Sequence, residues 1–91
     1  MNVLTDRLKK MYEQLFLTGD PAIQEEIDIH EAGLPKADAV PYFCEMAKTL
    51  YGIWPEKVDH CMKQADLNYR LNPTRAAKRE IKKTINLMGW I

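Results

Sequence analysis

The stretch from Tyr42 to Met62 constrains the fold more than any other part of the chain. Its apolar residues recur at steps of three and four on both sides of Gly52-Ile53-Trp54-Pro55, which is the spacing of one helix face. Glycine is favoured where a helix ends, and proline is tolerated at a first helical position because its missing N–H is not needed there. The stretch therefore predicts two helices joined at a short corner, with a positive φ at Gly52.

Capping and stop signals predict two helices before this pair. Asn2 is expected to cap the first helix, because its side chain can accept a backbone N–H of the first turn. That helix should end at Thr18-Gly19. Asp20-Pro21 should open the second helix, with aspartate as cap and proline at the first helical position, and Gly33 should end it.

The start of the third helix is ambiguous in the sequence, whereas the fifth helix has clear signals. Asp38 is one candidate cap for the third helix, and Pro41 is a candidate first residue, since a residue before proline disfavours helical geometry. Asn72-Pro73 repeats the order of a capping residue and proline, and is expected to open the fifth helix. Gly89 is expected to end it.

Each predicted helix carries one apolar stripe, which is taken as its buried side. The stripe residues expected in the core are Leu4, Leu8, Met11, Tyr12, Leu15, Phe16, Ile23, Ile27, His30, Phe43, Cys44, Ala47, Leu50, Tyr51, Val58, Cys61, Met62, Ala65, Tyr69, Ala77, Ile81, Ile85 and Met88.

Length and patterning together indicate the fold class. The chain has 91 residues, which suits a single domain spanning 1–91. No run alternates with the period of a strand, and no hairpin turn separates two apolar segments. The prediction is an all-α fold, a compact bundle of four to five short helices.

Charge is neutral overall but unevenly distributed along the chain. Residues 1–45 contain four basic and nine acidic residues, and residues 46–91 contain nine basic and four acidic residues. Such opposed halves are compatible with internal neutralisation, with head-to-tail assembly, or with a basic face for an acidic partner. The sharpest basic cluster lies on the fifth helix and the sharpest acidic cluster on the second.

The residue types that carry most enzyme chemistry are sparse or badly spaced. The chain has no serine and no glycine-rich phosphate loop, and its acid pairs, such as Glu25 with Asp28 and Asp28 with Glu31, have the pattern of solvated helix faces. Its two cysteines and two histidines, Cys44, Cys61, His30 and His60, lack the paired spacing with which one helical turn presents two metal ligands. We therefore expect a non-enzymatic protein with no cofactor, no metal, no small-molecule substrate and buried, reduced cysteines.

The amino-terminal residues form an amphipathic charged pattern, not the apolar core of a signal peptide. No apolar run approaches the length of a membrane span. A cytoplasmic location without a membrane partner is the expectation.

Recognition of another protein, or self-association, is the function that these features favour. Tryptophan, tyrosine and methionine are enriched at the centres of protein interfaces. This chain has large side chains of these types near its predicted helix ends or beside the main stripes, among them Tyr42, Met46 and Tyr69. A regulatory protein or inhibitor would act in this way. The candidate partner-binding residues are Trp54, Trp90, Arg75, Lys78, Arg79, Lys82, Lys83, Glu25 and Asp28.

Nucleic-acid binding is the alternative function. A glycine in a two-helix corner followed six residues later by an aliphatic residue, here Val58, is typical of helix-turn-helix proteins. The segment Gly52–Lys63 would then be the reader, or the basic fifth helix would contact phosphates. Glu56 and Asp59 at the start of the would-be recognition helix oppose this reading, because they repel phosphate.

Overall fold

The computed structural model describes residues 3–89 of the chain, and the side chains of residues 5–89. The predicted cap at Asn2, the stripe position of Leu4 and the predicted contact at Trp90 lie outside those described side chains. Residues 3–89 contain five helices: α1 (Val3–Thr18), α2 (Pro21–Ala32), α3 (Lys36–Leu50), α4 (Pro55–Leu71) and α5 (Arg75–Met88). The described residues contain no strand. The prediction of an all-α fold with four to five short helices is confirmed.

Contacts between Cα atoms divide the chain into two units, and each is described by itself. The N-terminal unit is Met1–Leu34 and the C-terminal unit is Pro35–Ile91. The expectation of one domain over residues 1–91 stays a prediction.

The N-terminal unit is a pair of packed helices, α1 and α2. Leu8 and Ile27 are fully buried, and Tyr12 is 1 % exposed. The Tyr12 hydroxyl donates a hydrogen bond to the Glu31 carboxylate, which joins the two helices. The predicted start of α2 is confirmed, because Asp20 Oδ1 accepts the backbone N–H of Ala22 at 2.9 Å.

The C-terminal unit is a group of three helices in which α3 packs most extensively against α4, and α5 packs against both. Small residues let α3 and α4 approach closely, since Ala47 and Ala65 are fully buried. Larger apolar side chains complete this interior, among them the buried Met46, Leu50 and Val58. The predicted corner is confirmed: α4 begins at Pro55, and Gly52 has a φ of 80°.

The predicted start of the third helix is wrong. Helix α3 begins at Lys36, so Asp38 lies within its first turn and Pro41 lies inside the helix. A proline at this position removes one hydrogen bond to the carbonyl of Ala37. Both Ala37 and Pro41 are exposed, so water can reach the carbonyl that the proline leaves unpaired. An exposed helix face is therefore where an interior proline is least damaging.

The predicted cap of α5 is also displaced. The helix begins at Arg75, and Thr74 Oγ1 accepts the backbone N–H of Ala77 at 3.0 Å. Thr74 is thus the N-cap, and Asn72-Pro73 precedes it as a connection. Threonine is itself a good capping residue, and here its side chain, not that of Asn72, accepts the free N–H group of the first turn.

Several residues of the predicted core are not in the interior. Phe16 and Tyr51, at the ends of α1 and α3, are 47 % and 51 % exposed. Conversely, Thr84 of α5 is 1 % exposed, although its polarity excluded it from the predicted stripe. Its hydroxyl donates to the backbone carbonyl of Glu80 at 2.8 Å, which satisfies the buried polar group. The stripe residues left half-buried are Ile23, His30, Tyr69, Ile81 and Ile85.

Replacing Gly52 by valine is expected to lower the free energy of unfolding by more than about 1 kcal/mol, because an L-residue is strained in the left-handed region. A Cβ built on Gly52 meets no atom within 4 Å, so the loss would come from the backbone and not from a clash. Thermal melting of the variant beside the wild type measures it.

Gly33→Ala is the matched control for this change. Gly33 follows α2 with a φ of −90°, a value open to any residue, and an added Cβ would make only ordinary contacts at 3.7 Å. We expect this variant to melt near the wild-type temperature. Equal effects of the two substitutions would contradict a conformational role for Gly52.

Candidate protein-binding surface

Helix α5 carries a continuous basic face on the C-terminal unit. We use the name "basic face" for its five cations, all of which are exposed: Arg75, Lys78, Arg79, Lys82 and Lys83. The residues recur at steps of three and four, which places them along one side of the helix. The opposite side holds the buried Ala77, Thr84 and Met88. These five predicted site residues are therefore brought together on one surface.

The single acidic residue of α5 does not interrupt this face. Glu80 turns toward α3, where its carboxylate lies 3.9 Å from Lys48 Nζ. Lys48 also contacts Glu45 of its own helix, at 3.2 Å. All three side chains are about 30 % exposed, so the pairs are only partly shielded from water. Glu80 is thus occupied by a cation of another helix.

The cations of the basic face form no ion pair with the described residues. Within α4, Lys63 pairs with Asp59 at 2.9 Å and Arg70 pairs with Asp66 at 3.0 Å. The C-terminal unit contains ten basic and six acidic residues, so the excess positive charge is concentrated on α5.

This arrangement is unfavourable for the isolated helix. Like charges four residues apart repel, and α5 has three such pairs: 75 with 79, 78 with 82, and 79 with 83. At about 0.2–0.5 kcal/mol each, they destabilise α5 by on the order of 1 kcal/mol at low salt. Arg75 and Lys78 also lie in the first turn, at the positive end of the helix dipole. An anion bound on this face would relieve both effects.

An open groove runs between α4 and α5, next to the basic face. It has a volume of about 350 Å³, and its walls are mostly apolar. Its lining residues are Asp66, Tyr69, Lys78, Ile81, Lys82 and Ile85. We call this the α4–α5 groove. The groove was not predicted from the sequence. The stripe of α5 carried one signal for it, because Ile81 and Ile85 lie opposite a part of α4 that includes Asp66.

The corner between α3 and α4 presents a second exposed apolar patch. Tyr51 and Ile53 are 51 % and 52 % exposed. Trp54 is half-buried, and Lys57 Nζ lies 5.3 Å from the centroid of its ring, in a cation–π contact. Of the other large residues considered for recognition, Tyr42 and Met46 are buried, at 5 % and 0 % exposure, so neither is an exposed contact residue.

The predicted acidic residues of α2 belong to the N-terminal unit. Glu25 and Asp28 are both exposed, and the Asp28 carboxylate accepts a hydrogen bond from Gln24 at 2.9 Å. Ile29, beside them, is 64 % exposed. The remaining acids of this helix are engaged: Glu26 pairs with Arg7 at 3.4 Å, and Glu31 accepts from Tyr12. The acidic face of α2 is therefore a separate exposed surface.

The two cysteines are fully buried free thiols. Burial raises the pKa of the Cys44 thiol, because the thiolate is poorly solvated in the interior. A hydrogen bond between the side chains of Cys44 and Thr84 opposes this increase in pKa by favouring the thiolate, as does the charge of Lys48, while Glu80 and Glu45 raise it further. Nucleophilic cysteines need a lowered pKa and access, so Cys44 has the properties of a core residue.

Two further structural features are absent from the described residues. No three of their histidine, cysteine, aspartate or glutamate side chains are grouped closely enough to hold a metal ion. Within the same part of the chain, no helix has the length and apolar character needed to cross a lipid bilayer.

Comparisons with known proteins identify no relative. The chain matches no protein-family model, no curated protein and no solved structure.

Proposed function

We propose that this chain is a small non-enzymatic protein that docks on another protein, and that the basic face of α5 is its main contact surface. The observation that carries this proposal is the row of five exposed cations, none of which forms an ion pair with another described residue. A carboxylate-rich surface on a partner would supply their counter-charge. Complementary charge steers encounter and selects partners, which suits a regulatory protein or inhibitor.

Two further surfaces fit the same role. The corner residues Tyr51, Ile53 and Trp54 offer partly exposed apolar and aromatic area, which is typical of interface centres. Glu25 and Asp28 on α2 offer an acidic surface for a basic contact, either on the partner or on a second copy. Under this proposal the protein acts without cofactor and in the cytoplasm.

The alternative is a nucleic-acid-binding regulator, and the same basic face supports it. Five phosphate contacts would make binding to a random duplex fall with salt at a log–log slope of roughly −4 to −5. The helix-turn-helix reading of Gly52–Lys63 has less support. Glu56, Asp59 and His60 are exposed at the start of α4, and Lys63 is paired with Asp59, so this helix presents little free positive charge.

Partner capture with and without nuclease separates the proposal from its alternative, and charge reversal on α5 tests whether the basic face makes the contact. We expect tagged wild-type chain to retain a protein partner from a lysate of its source cells after nuclease treatment, and Arg75→Glu/Arg79→Glu to lose it. The matched control is Arg7→Glu/Lys63→Glu, which changes net charge equally but acts on cations already paired with Glu26 and Asp59. The control should retain the partner.

Three results would contradict the proposal. One is capture of a partner that survives the α5 substitutions. Another is capture that disappears with nuclease. The third is duplex binding at micromolar concentration near physiological salt that the α5 substitutions abolish, and this would place the nucleic-acid function first. Circular dichroism of both variants verifies that the helices remain intact.

A further inference from the structure

The α4–α5 groove has the shape and chemistry of a site for one side of a helix. Its α5 wall is formed by Ile81 and Ile85, four residues apart, with Tyr69 of α4 opposite. These three side chains are only half-buried, whereas Ala77 and Met88, the other stripe residues of α5, are buried. The groove is thus an apolar strip that the C-terminal unit leaves uncovered, and it runs along α5 for more than one turn, about 6 Å per four residues.

The two edges of the groove differ in charge. Lys78 and Lys82 line the α5 edge, also four residues apart, and no ion pair within the described part of this unit involves either. Asp66 lines the opposite edge, but Arg70 holds its carboxylate at 3.0 Å. An occupant of the groove would therefore meet positive charge at the α5 edge and little net charge at the α4 edge.

We infer that the α4–α5 groove binds an acidic amphipathic helix of a partner protein. Apolar side chains of that helix, spaced by three or four residues, would fill the strip beside Ile81 and Ile85. Glutamates or aspartates flanking them would meet Lys78 and Lys82. This is the helix-in-groove mode of peptide recognition, in which apolar anchors give affinity and flanking charges give register. The inference rests on the proposed function and names the chemistry of its partner.

Charge and shape together favour this occupant over other ligands. The apolar walls offer nothing to a phosphate, so a nucleic-acid backbone would leave the strip exposed. Small-molecule sites generally enclose most of their ligand within about 300–1,000 Å³. The volume of the groove, about 350 Å³, lies within this range, but the groove is open to solvent and would leave a small molecule largely exposed. A helix lying over the groove covers it along its whole length.

Binding of a designed peptide tests the inference directly. The probe is a synthetic, helix-stabilised peptide of about four turns, with leucines spaced by three and four residues and glutamates beside them. We expect the full-length chain to bind it, as measured by fluorescence anisotropy. Two control peptides should bind at least about tenfold more weakly: one has lysine for every glutamate, and one has serine for every leucine.

Paired variants of α5 locate the binding. Lys78→Glu/Lys82→Glu changes the groove edge, and Arg75→Glu/Lys83→Glu changes the net charge equally on the same helix but away from the groove lining. We expect the first pair to weaken binding about tenfold or more and the second to weaken it much less. All four side chains are exposed, so the fold should tolerate both changes. Ile85→Ser, verified by circular dichroism, should also weaken binding.

Each other outcome overturns the inference. If Lys78→Glu/Lys82→Glu and Arg75→Glu/Lys83→Glu weaken peptide binding equally, the peptide is attracted to the basic face in general and does not use the groove. If the chain binds a peptide with the sequence of its own residues 20–33 more tightly than the designed peptide, the occupant of the groove is a second copy of this chain. Preference for a single-stranded oligonucleotide would make it nucleic acid. Failure to bind any peptide, while Arg75→Glu/Arg79→Glu still abolishes partner capture, would reject the groove and leave the proposed function standing.

Discussion

Replacing Leu50 by alanine is expected to lower the free energy of unfolding by about 2–5 kcal/mol, through lost apolar burial and the cavity left behind. Leu50 is 1 % exposed and lies at the end of α3, the helix with the most extensive packing in the C-terminal unit. A small domain has only about 5–15 kcal/mol of stability in total, so the change removes a large share of it. Urea unfolding followed by circular dichroism measures the shift in midpoint.

Leu71→Ala is the control for this substitution. Leu71 is the last residue of α4 and is 74 % exposed, so the same chemical change removes little buried area there. We expect its unfolding midpoint to stay close to that of the wild type. A small effect at Leu50, or an equal effect at both positions, would show that the interior of this unit is not packed as described.

Modification of the cysteines by a thiol reagent is expected to be at least about a thousandfold slower in the native protein than in urea, because reaction requires opening of a core worth several kcal/mol. Cys44 and Cys61 are both 0 % exposed. For Cys44 the raised pKa adds to this, since less of the reactive thiolate is present at a given pH. Quantifying each labelled cysteine over time by mass spectrometry gives the two rates separately.

A third cysteine at a surface position provides the internal reference. Ala76 is exposed on α5, and Ala76→Cys should react in the native protein nearly as fast as in urea. Rapid native labelling of Cys44 or Cys61 in the same sample would contradict their burial.

Local signals in the sequence predicted the helices and most of their ends. Gly52 and Gly89 have φ values of 80° and 70°, as expected for glycines that end helices. The Asp20 cap and the first-turn proline at Pro55 are also where the sequence placed them. These features depend on a few neighbouring residues, because a cap or a stop is made by hydrogen bonds and torsion angles within one turn.

Adjacent signals of the same kind could not be ranked from the sequence. Thr74 caps α5 although Asn72-Pro73 has the stronger pattern, and α3 continues through Pro41 although proline favours a helix start. For Pro41 the outcome depends on the exposure of the helix face that carries the proline, and exposure is a property of the packed structure.

The helical fold, the buried cysteines and the basic face of α5 could all be predicted from periodicity, because the spacing of residues assigns them to a helix face without any information about distant parts of the chain. What each of these faces contacts is a property of the tertiary structure. It turned Glu80 toward Lys48, buried Thr84, and left Ile81 and Ile85 half-covered beside Lys78 and Lys82. These contacts join residues that are far apart in the chain, and a stripe of apolar residues has the same spacing whether a neighbouring helix covers it fully or leaves a groove.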